Sequence, residues 1–223
     1  MDLFLETFEP RDEAWYIEEE VEGGKKRKLY EALFTLSNAY VGMRGINEDM
    51  PARTTPGTFI AGTFDKSECV AVEMVNFPNT AALYMVLGEE KIDLDRHAAS
   101  HRRRLDLKRG ALFRETVFVK DGRETRFRSV RFVCAHDRNI AVSVSEITPL
   151  NWSGQLTLVT ELDGSVHNAF ANYFPDEWIR HLSLISINDN YDHDTLMVVK
   201  TRERGQQYCI ATSFDVPGEA VAR

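Results

Sequence analysis

The feature that most constrains how this chain can fold is a two-residue step, Asp121-Gly122, set between two long runs of β-forming side chains. On either side, residues 111–120 and 123–135 are rich in aromatic and β-branched residues interleaved with charged ones. An Asp-Gly connection accepts positive φ at both positions, the geometry of a tight hairpin turn. Closing a hairpin there fixes its register, with Val119 facing Glu124, Val117 facing Arg126, Glu115 facing Arg128 and Phe113 facing Val130. The opposite charges of Glu115 and Arg128 support that pairing. Both faces mix charge with apolar groups, so burial on both sides is not expected.

Much of the remaining chain obeys the same grammar. Short β-rich runs are expected at 15–21, 58–64, 69–75, 82–87, 105–107, 140–147, 155–162, 179–187, 195–202 and 207–214. Asp163-Gly164, Asn188-Asp189-Asn190 and Gly205 separate several of them as turn residues do. The basic run 25–28 follows Gly23-Gly24 and reads as loop, and the segment 93–104 is the best candidate for a short helix. About a dozen strands without an internal repeat predict an all-β fold, two large antiparallel sheets packed face to face with few short helices. The 223 residues, 43% of them hydrophobic, suffice for one such domain.

The formal net charge of −8 argues against nucleic acid or an anionic membrane as partner. No apolar run approaches the ~20 residues of a membrane-spanning helix, and the start lacks the pattern of a secretion signal. Three widely spaced cysteines, Cys69, Cys134 and Cys209, fit reduced, mostly buried thiols in a cytoplasmic protein.

One stretch departs from plain alternation. Residues 30–47 read Tyr-Glu-Ala-Leu-Phe-Thr-Leu-Ser-Asn-Ala-Tyr-Val-Gly-Met-Arg-Gly-Ile-Asn. Packed apolar residues (Leu33, Phe34, Leu36) give way to Ser37-Asn38, which favours a turn. Tyr40-Val41 resumes the extended run, and Gly42 and Gly45 frame a single charge, Arg44. Glycines in such a run mark a bulge or a close backbone approach. By composition Arg44 is a solvated charge in a tight strand–turn crossing; framed by glycines, its planar fork can instead be aimed at a partner.

This stretch resembles the opening signature of glycoside hydrolase family 65, the maltose, kojibiose and trehalose phosphorylases and their hydrolytic relatives. Ser37 and Ala39 stand where the family commonly has glycine. Further matches follow in order: Pro56-Gly-Thr-Phe-Ile-Ala-Gly62, Val75-Asn-Phe-Pro-Asn79 and Leu105-Asp-Leu-Lys-Arg-Gly-Ala-Leu112. The resemblance covers essentially the whole chain and concerns the family's amino-terminal domain, a β-supersandwich, here residues 1–223. It implies a parent enzyme acting on α-linked glucosyl disaccharides, with the catalytic acid and the phosphate site in a following (α/α) six-hairpin barrel that this chain does not contain. It also implies a homodimer, no cofactor, and inorganic phosphate as co-substrate where the parent is a phosphorylase. Asn38, Tyr40, Arg44, Gly45 and Asn47 would then lie at the domain interface and the active-site rim, with no catalytic residue in this chain.

Other constellations carry less. His97 and His101 have a spacing that places two imidazoles on one helical face, but the glutamate a zinc protease needs after the first is absent. The acidic run 188–194 lacks the glycine and terminal glutamate of a calcium loop. Arg102, Arg103 and Arg104 with Lys108 and Arg109 form a dense basic patch without interleaved aromatics, read as a loop-to-strand passage with its charges in water. Thirty-five acids guarantee accidental carboxylate pairs, so none is singled out as glycosidase machinery. Trp178, in the loop-like segment Phe174-Pro-Asp-Glu-Trp-Ile-Arg180, is the candidate for stacking on a sugar ring. A carbohydrate-binding module or a stand-alone aldose-epimerase-like enzyme are the alternative readings.

Overall fold

A computed structural model describes residues 13–19, 26–66, 72–168, 179–190 and 194–216. A 3-10 turn, Glu13–Trp15, precedes two short helices, α1 (Arg27–Leu33) and α2 (Leu94–His97). The strands are β1 (Tyr16–Glu18), β2 (Leu36–Ser37), β3 (Val41–Met43), β4 (Thr58–Asp65), β5 (Glu73–Asn76), β6 (Asn79–Leu87), β7 (Glu90–Ile92) and β8 (Ala98–Asp106). They continue with β9 (Ala111–Lys120), β10 (Arg123–Val133), β11 (Ala141–Pro149), β12 (Thr157–Asp163), β13 (Leu182–Asn190), β14 (Asp194–Thr201) and β15 (Gln207–Ser213). The protein is therefore all-β, and every strand pairing with a described register is antiparallel.

The chain divides into two compact units, Met1–Pro56 with Ala81–Thr160, and Gly57–Thr80 with Glu161–Arg223. The first is built on a five-stranded sheet, in the order β1-β8-β9-β10-β11. At its centre is the hairpin expected at Asp121-Gly122. Both turn residues have positive φ, 51° and 74°, and all four expected pairings occur. One rung crosses four strands in register, Arg102, Glu115, Arg128 and Glu146, so that charge alternates along it. Glu115 accepts from Arg102 at 2.7 Å and from Arg128 at 2.7 Å. Phe118 and Phe127 pack with Met85, Leu87 and Ile92 in one core cluster. Tyr30, Phe34, Leu36, Leu105 and Leu112 form another.

In the second unit β13, β14 and β15 form a three-stranded sheet, and β4 pairs with β5. Its core gathers Val75, Phe77, Met197 and Val199. Phe77 meets Tyr208 edge to face at 4.9 Å between centroids, and the Tyr208 hydroxyl lies 2.8 Å from that of Thr63. A half-buried tyrosine thus keeps its polar end satisfied.

Several sequence expectations need correction. The hairpin is buried on both faces at the end away from its turn, where Leu112, Phe113 and Arg114, and Ser129, Val130 and Arg131, are consecutive buried residues. The segment 93–104 is helical for one turn only. Asp93 caps it by accepting from the Arg96 amide at 3.0 Å, and Ala98 already starts β8, so His97 and His101 do not share a helical face. Arg27 and Lys28 belong to α1 rather than to a loop, and Leu33 is exposed rather than packed. Cys134 is half-buried and Cys209 exposed, both as free thiols. Cys69, with the start of its expected strand, lies outside the described residues.

Replacing Gly122 by alanine places a Cβ at φ 74° and is expected to cost about 1 kcal/mol. Urea denaturation should show that loss with an unchanged far-ultraviolet spectrum.

Candidate functional site

The motif segment and the loop after it occupy one side of the first unit. Asn38 makes the turn between β2 and β3. Its side-chain oxygen accepts from the amides of Tyr40 at 3.1 Å and Val41 at 2.9 Å. Its amide group donates to the carbonyls of Cys134 at 2.8 Å and Arg138 at 3.0 Å. Arg138 lies over the Tyr40 ring at 4.3 Å. Ala39 keeps the left-handed backbone a glycine would adopt without cost, at φ 68°, whereas Ser37 is an ordinary strand residue. Gly45 is needed for space. A Cβ there would stand 2.6 Å from the Phe34 carbonyl oxygen, and the Gly45 amide donates to Glu31 O at 2.9 Å.

Arg44 does not point freely into water. Its Nε donates to Thr55 O at 3.0 Å, and its Nη2 donates to Lys28 O at 3.3 Å and lies 3.5 Å from Glu31 Oε2. Glu31 Oε2 also accepts from the Thr55 amide at 3.2 Å. A second clamp has the same form. Arg27 donates to Ala52 O at 2.5 Å and pairs with Asp95, whose Oδ2 accepts from the Ala52 amide at 2.9 Å. Two acid–base pairs thus grip both peptide groups at Ala52 and at Thr55. Between those grips Arg53 is held at φ 66°, with Met50 at φ 48° just before. Such conformations persist in non-glycine residues only where the surroundings over-determine them.

Beneath residues 45–49 lies the charge centre of the unit. Arg103 on β8, Arg114 on β9 and Arg131 on β10 are each almost completely buried. Arg103 Nη1 donates to Gly45 O at 2.5 Å and its Nε to Glu19 Oε2 at 2.6 Å. Arg114 Nη1 donates to Glu48 Oε2 at 2.8 Å and lies 2.6 Å from Asp49 Oδ1. Arg131 Nη2 donates to Ile46 O at 2.6 Å and to Glu48 Oε1 at 3.2 Å, and Ser129 Oγ donates to the same Glu48 oxygen at 2.7 Å. Asp49 Oδ2 accepts from the Leu94 amide at 2.6 Å. Three guanidiniums are therefore matched by the carboxylates of Glu19, Glu48 and Asp49. Such charges are tolerated in the interior because they compensate one another.

The pKa shifts follow. Burial pushes Glu48 up, but Arg131, Arg114 and Ser129 outweigh it and bring it down to about 2. Burial likewise opposes ionisation of Glu19, and His101 and Arg103 overcome it, again to about 2. Burial would lower Arg114, yet Asp49 and Glu48 carry it above the usual arginine value. Arg131 ends below that value because burial, aided by Arg103 and Arg114, exceeds the help of Glu48. Burial depresses His101, although Glu19 partly offsets it. Glu31 runs the other way, raised by burial more than Thr55 and Arg44 lower it.

These hydrogen bonds and ion pairs hold the loop 45–49 against the sheet. Among the described residues no three histidine, cysteine, aspartate or glutamate side chains gather to hold a metal ion. A cavity lined by Asp49 and Arg114 together with Tyr84, Met85, Phe118 and Phe127 measures about 10 Å³, the size that admits a single water molecule. Asn38 and Tyr40 lie in the β2–β3 turn and Arg44, Gly45 and Asn47 in the passage that follows β3, with Asn47 fully buried. Trp178 lies outside the described residues. The basic patch is corrected: Arg103 and Arg104 are buried on β8, and among these three only Arg102 is exposed. The buried arginine cluster was missed because alternation along Arg102-Arg103-Arg104 is uniform in chemistry, and nothing in it says which arginine faces in.

The sequence model of the Glycosyl hydrolase family 65 N-terminal domain matches residues 17–222. The chain belongs to glycosyl hydrolase family 65. It is 36% identical over 176 residues to a kojibiose phosphorylase of Caldanaerobacter subterraneus subsp. tengcongensis, covering 78% of this chain and 23% of that protein. It is 28% identical to a maltose phosphorylase of Bacillus subtilis, covering 74% and 23%. A solved structure described as a putative kojibiose phosphorylase from the human microbiome shares the fold at a TM-score of 0.77 and 17% identity, over 88% of this chain and 27% of its own. The chain spans about a quarter of the length of the curated relatives it matches.

Two outcomes are expected for this family 65 domain. Glu19 and Glu48, at about 2 when folded and 4.5 as the reference, contribute stability that is fully present above pH 4.5 and lost as pH falls toward 2, on the order of a few kcal/mol together. Unfolding free energies measured from pH 6 to pH 2.5 should fall through that window, and Glu48→Gln should flatten the fall. Ala39→Gly, by relieving φ 68°, should stabilise by about 0.5–1 kcal/mol in a denaturant titration.

Proposed function

We propose that this chain is the non-catalytic N-terminal domain of a longer family 65 enzyme acting on α-linked glucosyl disaccharides, and that it shapes the rim of that enzyme's active site and supports its dimer. The observation that carries the reading is the match of an N-terminal-domain model to residues 17–222 in a chain covering about a quarter of relatives named as phosphorylases. In the parent, an acid outside this chain would protonate the glycosidic oxygen while phosphate attacks the opposite face of the sugar. That chemistry needs an acid and a second group on two sides of one bound ring. The charged cluster within this domain has its carboxylates turned onto arginines instead. Asn38 and Tyr40, half-buried at the β2–β3 turn, are the rim residues nearest solvent, while Arg44, Gly45 and Asn47 shape the loop from inside. Two free thiols favour a cytoplasmic setting.

The test is to incubate the purified chain with maltose, trehalose, kojibiose and nigerose, with and without phosphate, and to measure glucose and glucose 1-phosphate. No turnover is expected from the chain. The full-length protein should release glucose 1-phosphate from one of these sugars, and Tyr40→Ala in it should lower kcat/KM several-fold with the domain still folded. Turnover by the chain alone, abolished by changing one of its carboxylates, would establish a stand-alone enzyme instead.

A further inference from the structure

On the face of β8 and β9 turned toward the loop 45–49, four side chains form a square. His101 stands directly across from Thr116, and Arg103 directly across from Arg114. Arg114 Nε donates to Thr116 Oγ1 at 2.9 Å, and that hydroxyl lies 2.7 Å from His101 Nδ1. His101 Nε2 lies 3.2 Å from Glu19 Oε2, which also accepts from Arg103 Nε at 2.6 Å. A carboxylate only accepts, so the proton of a neutral imidazole here belongs on Nε2. Nδ1 is then an acceptor, and the Thr116 hydroxyl donates to it. A one-way relay runs from Arg114 through Thr116 and His101 to Glu19, where Arg103 meets it from the other side. The same two arginines hold the end of the family motif, Arg103 through Gly45 O and Arg114 through Glu48.

We propose that His101 is an acid-sensitive latch on residues 45–49, holding them while its ring is neutral and loosening them when Nδ1 takes up a proton. Arg103, Arg114 and Arg131 are already matched by Glu19, Glu48 and Asp49. An imidazolium would be a fourth cation in that cluster without a fourth carboxylate. The charged groups facing the ring are Glu19 beyond β1, Arg103 on β8 and Arg114 on β9, and the single carboxylate among them is shared with Arg103. The His101 side chain is 10% exposed, so little water is at hand to solvate the added charge. A proton on Nδ1 would also face Thr116 Oγ1, fully buried and already accepting from Arg114. The hydroxyl would have to turn its own hydrogen out of the relay. Burial, together with Arg114 and Arg103, accordingly holds His101 below the ordinary histidine value against the pull of Glu19. A group depressed in this way contributes stability that is present above its unfolded value of 6.5 and lost as pH falls below it. That window opens well above pH 4.5, where the contributions of Glu19 and Glu48 begin to be lost.

Imidazole nitrogen NMR of the isotope-labelled chain at pH 7.5 tests the proton assignment. His101 Nε2 is expected to be protonated and Nδ1 bare. A proton on Nδ1, or an imidazolium in the folded chain at pH 6.5, would overturn the proposal. The latch itself is read from hydrogen exchange. Protection factors of the amides of residues 46–49 should fall between pH 6.5 and pH 5, by up to about tenfold per pH unit for the one proton taken up. His101→Gln places a donor and an acceptor one carbon apart, as Nε2 and Nδ1 are, without a titrating group. Its protection should fall several-fold less steeply over the same range. Equal pH dependence in the two proteins would overturn the latch. Should the variant fail to fold, the nitrogen signals of the unmodified chain and a flat protection profile from pH 6.5 to pH 5 remain able to refute it.

Discussion

The structure of the first unit depends on one buried contact, that of Arg114 with Glu48 and Asp49. A guanidinium almost fully removed from water is tolerable only with its charge met at close range, and here two successive carboxylates of one loop meet it. The loop is committed in turn. Glu48 is shared with Arg131 and Ser129, and the backbone carbonyls of Gly45 and Ile46 are taken by Arg103 and Arg131. The aromatic layer follows the same centre, since Arg114 sits 5.1 Å from the Phe127 ring and 5.7 Å from that of Phe118. What sets the position of the loop is therefore electrostatic satisfaction inside an otherwise apolar sheet packing.

That dependence explains the place of the family motif. Gly45 lies against Phe34 with no room for a side chain, which lets its carbonyl reach Arg103. Arg44, one residue earlier, turns the other way and grips Thr55. The motif thus spans a point where consecutive residues are sent to opposite tasks, one into the charge centre and one into the clamp on the following turn. Glycine beside arginine is a local solution to that divergence: one supplies closeness and the other reach.

How much of this was legible beforehand depends on the range of the interaction. The Asp121-Gly122 hairpin, its register and the Glu115–Arg128 pair could be read because each is set by neighbours in sequence. The positive φ at Ala39 was foreshadowed only by the glycine usual at that place in the family. The one-turn length of α2 was not legible, because a capping aspartate and two well-spaced histidines look the same whether the chain continues as helix or turns into β8. The burial of Arg103 and Arg114 was hidden for a deeper reason. Their partners lie in a loop more than fifty residues away, and an arginine in a strand carries no local mark of the carboxylate it will meet. The burial of Arg27 and the exposure of Leu33 were concealed likewise, since pattern reasoning assigns leucine inward and arginine outward.

The distances along the chain between these partners have a kinetic meaning. Arg103 reaches Gly45 across 58 residues, Arg114 reaches Glu48 across 66, and Arg131 reaches Ile46 across 85. Closing such loops is entropically costly before their contacts repay it. The central hairpin, by contrast, closes across two residues. The sheet of β8, β9 and β10 is thus placed to assemble while its three arginines are still hydrated, and the segment 45–49 to be drawn onto it afterwards, in a step that dehydrates those arginines together with Glu48 and Asp49. Ordering of the family motif would on this account be among the last events in folding of the unit, and the barrier to losing it would be the cost of parting these ion pairs before water reaches the charges.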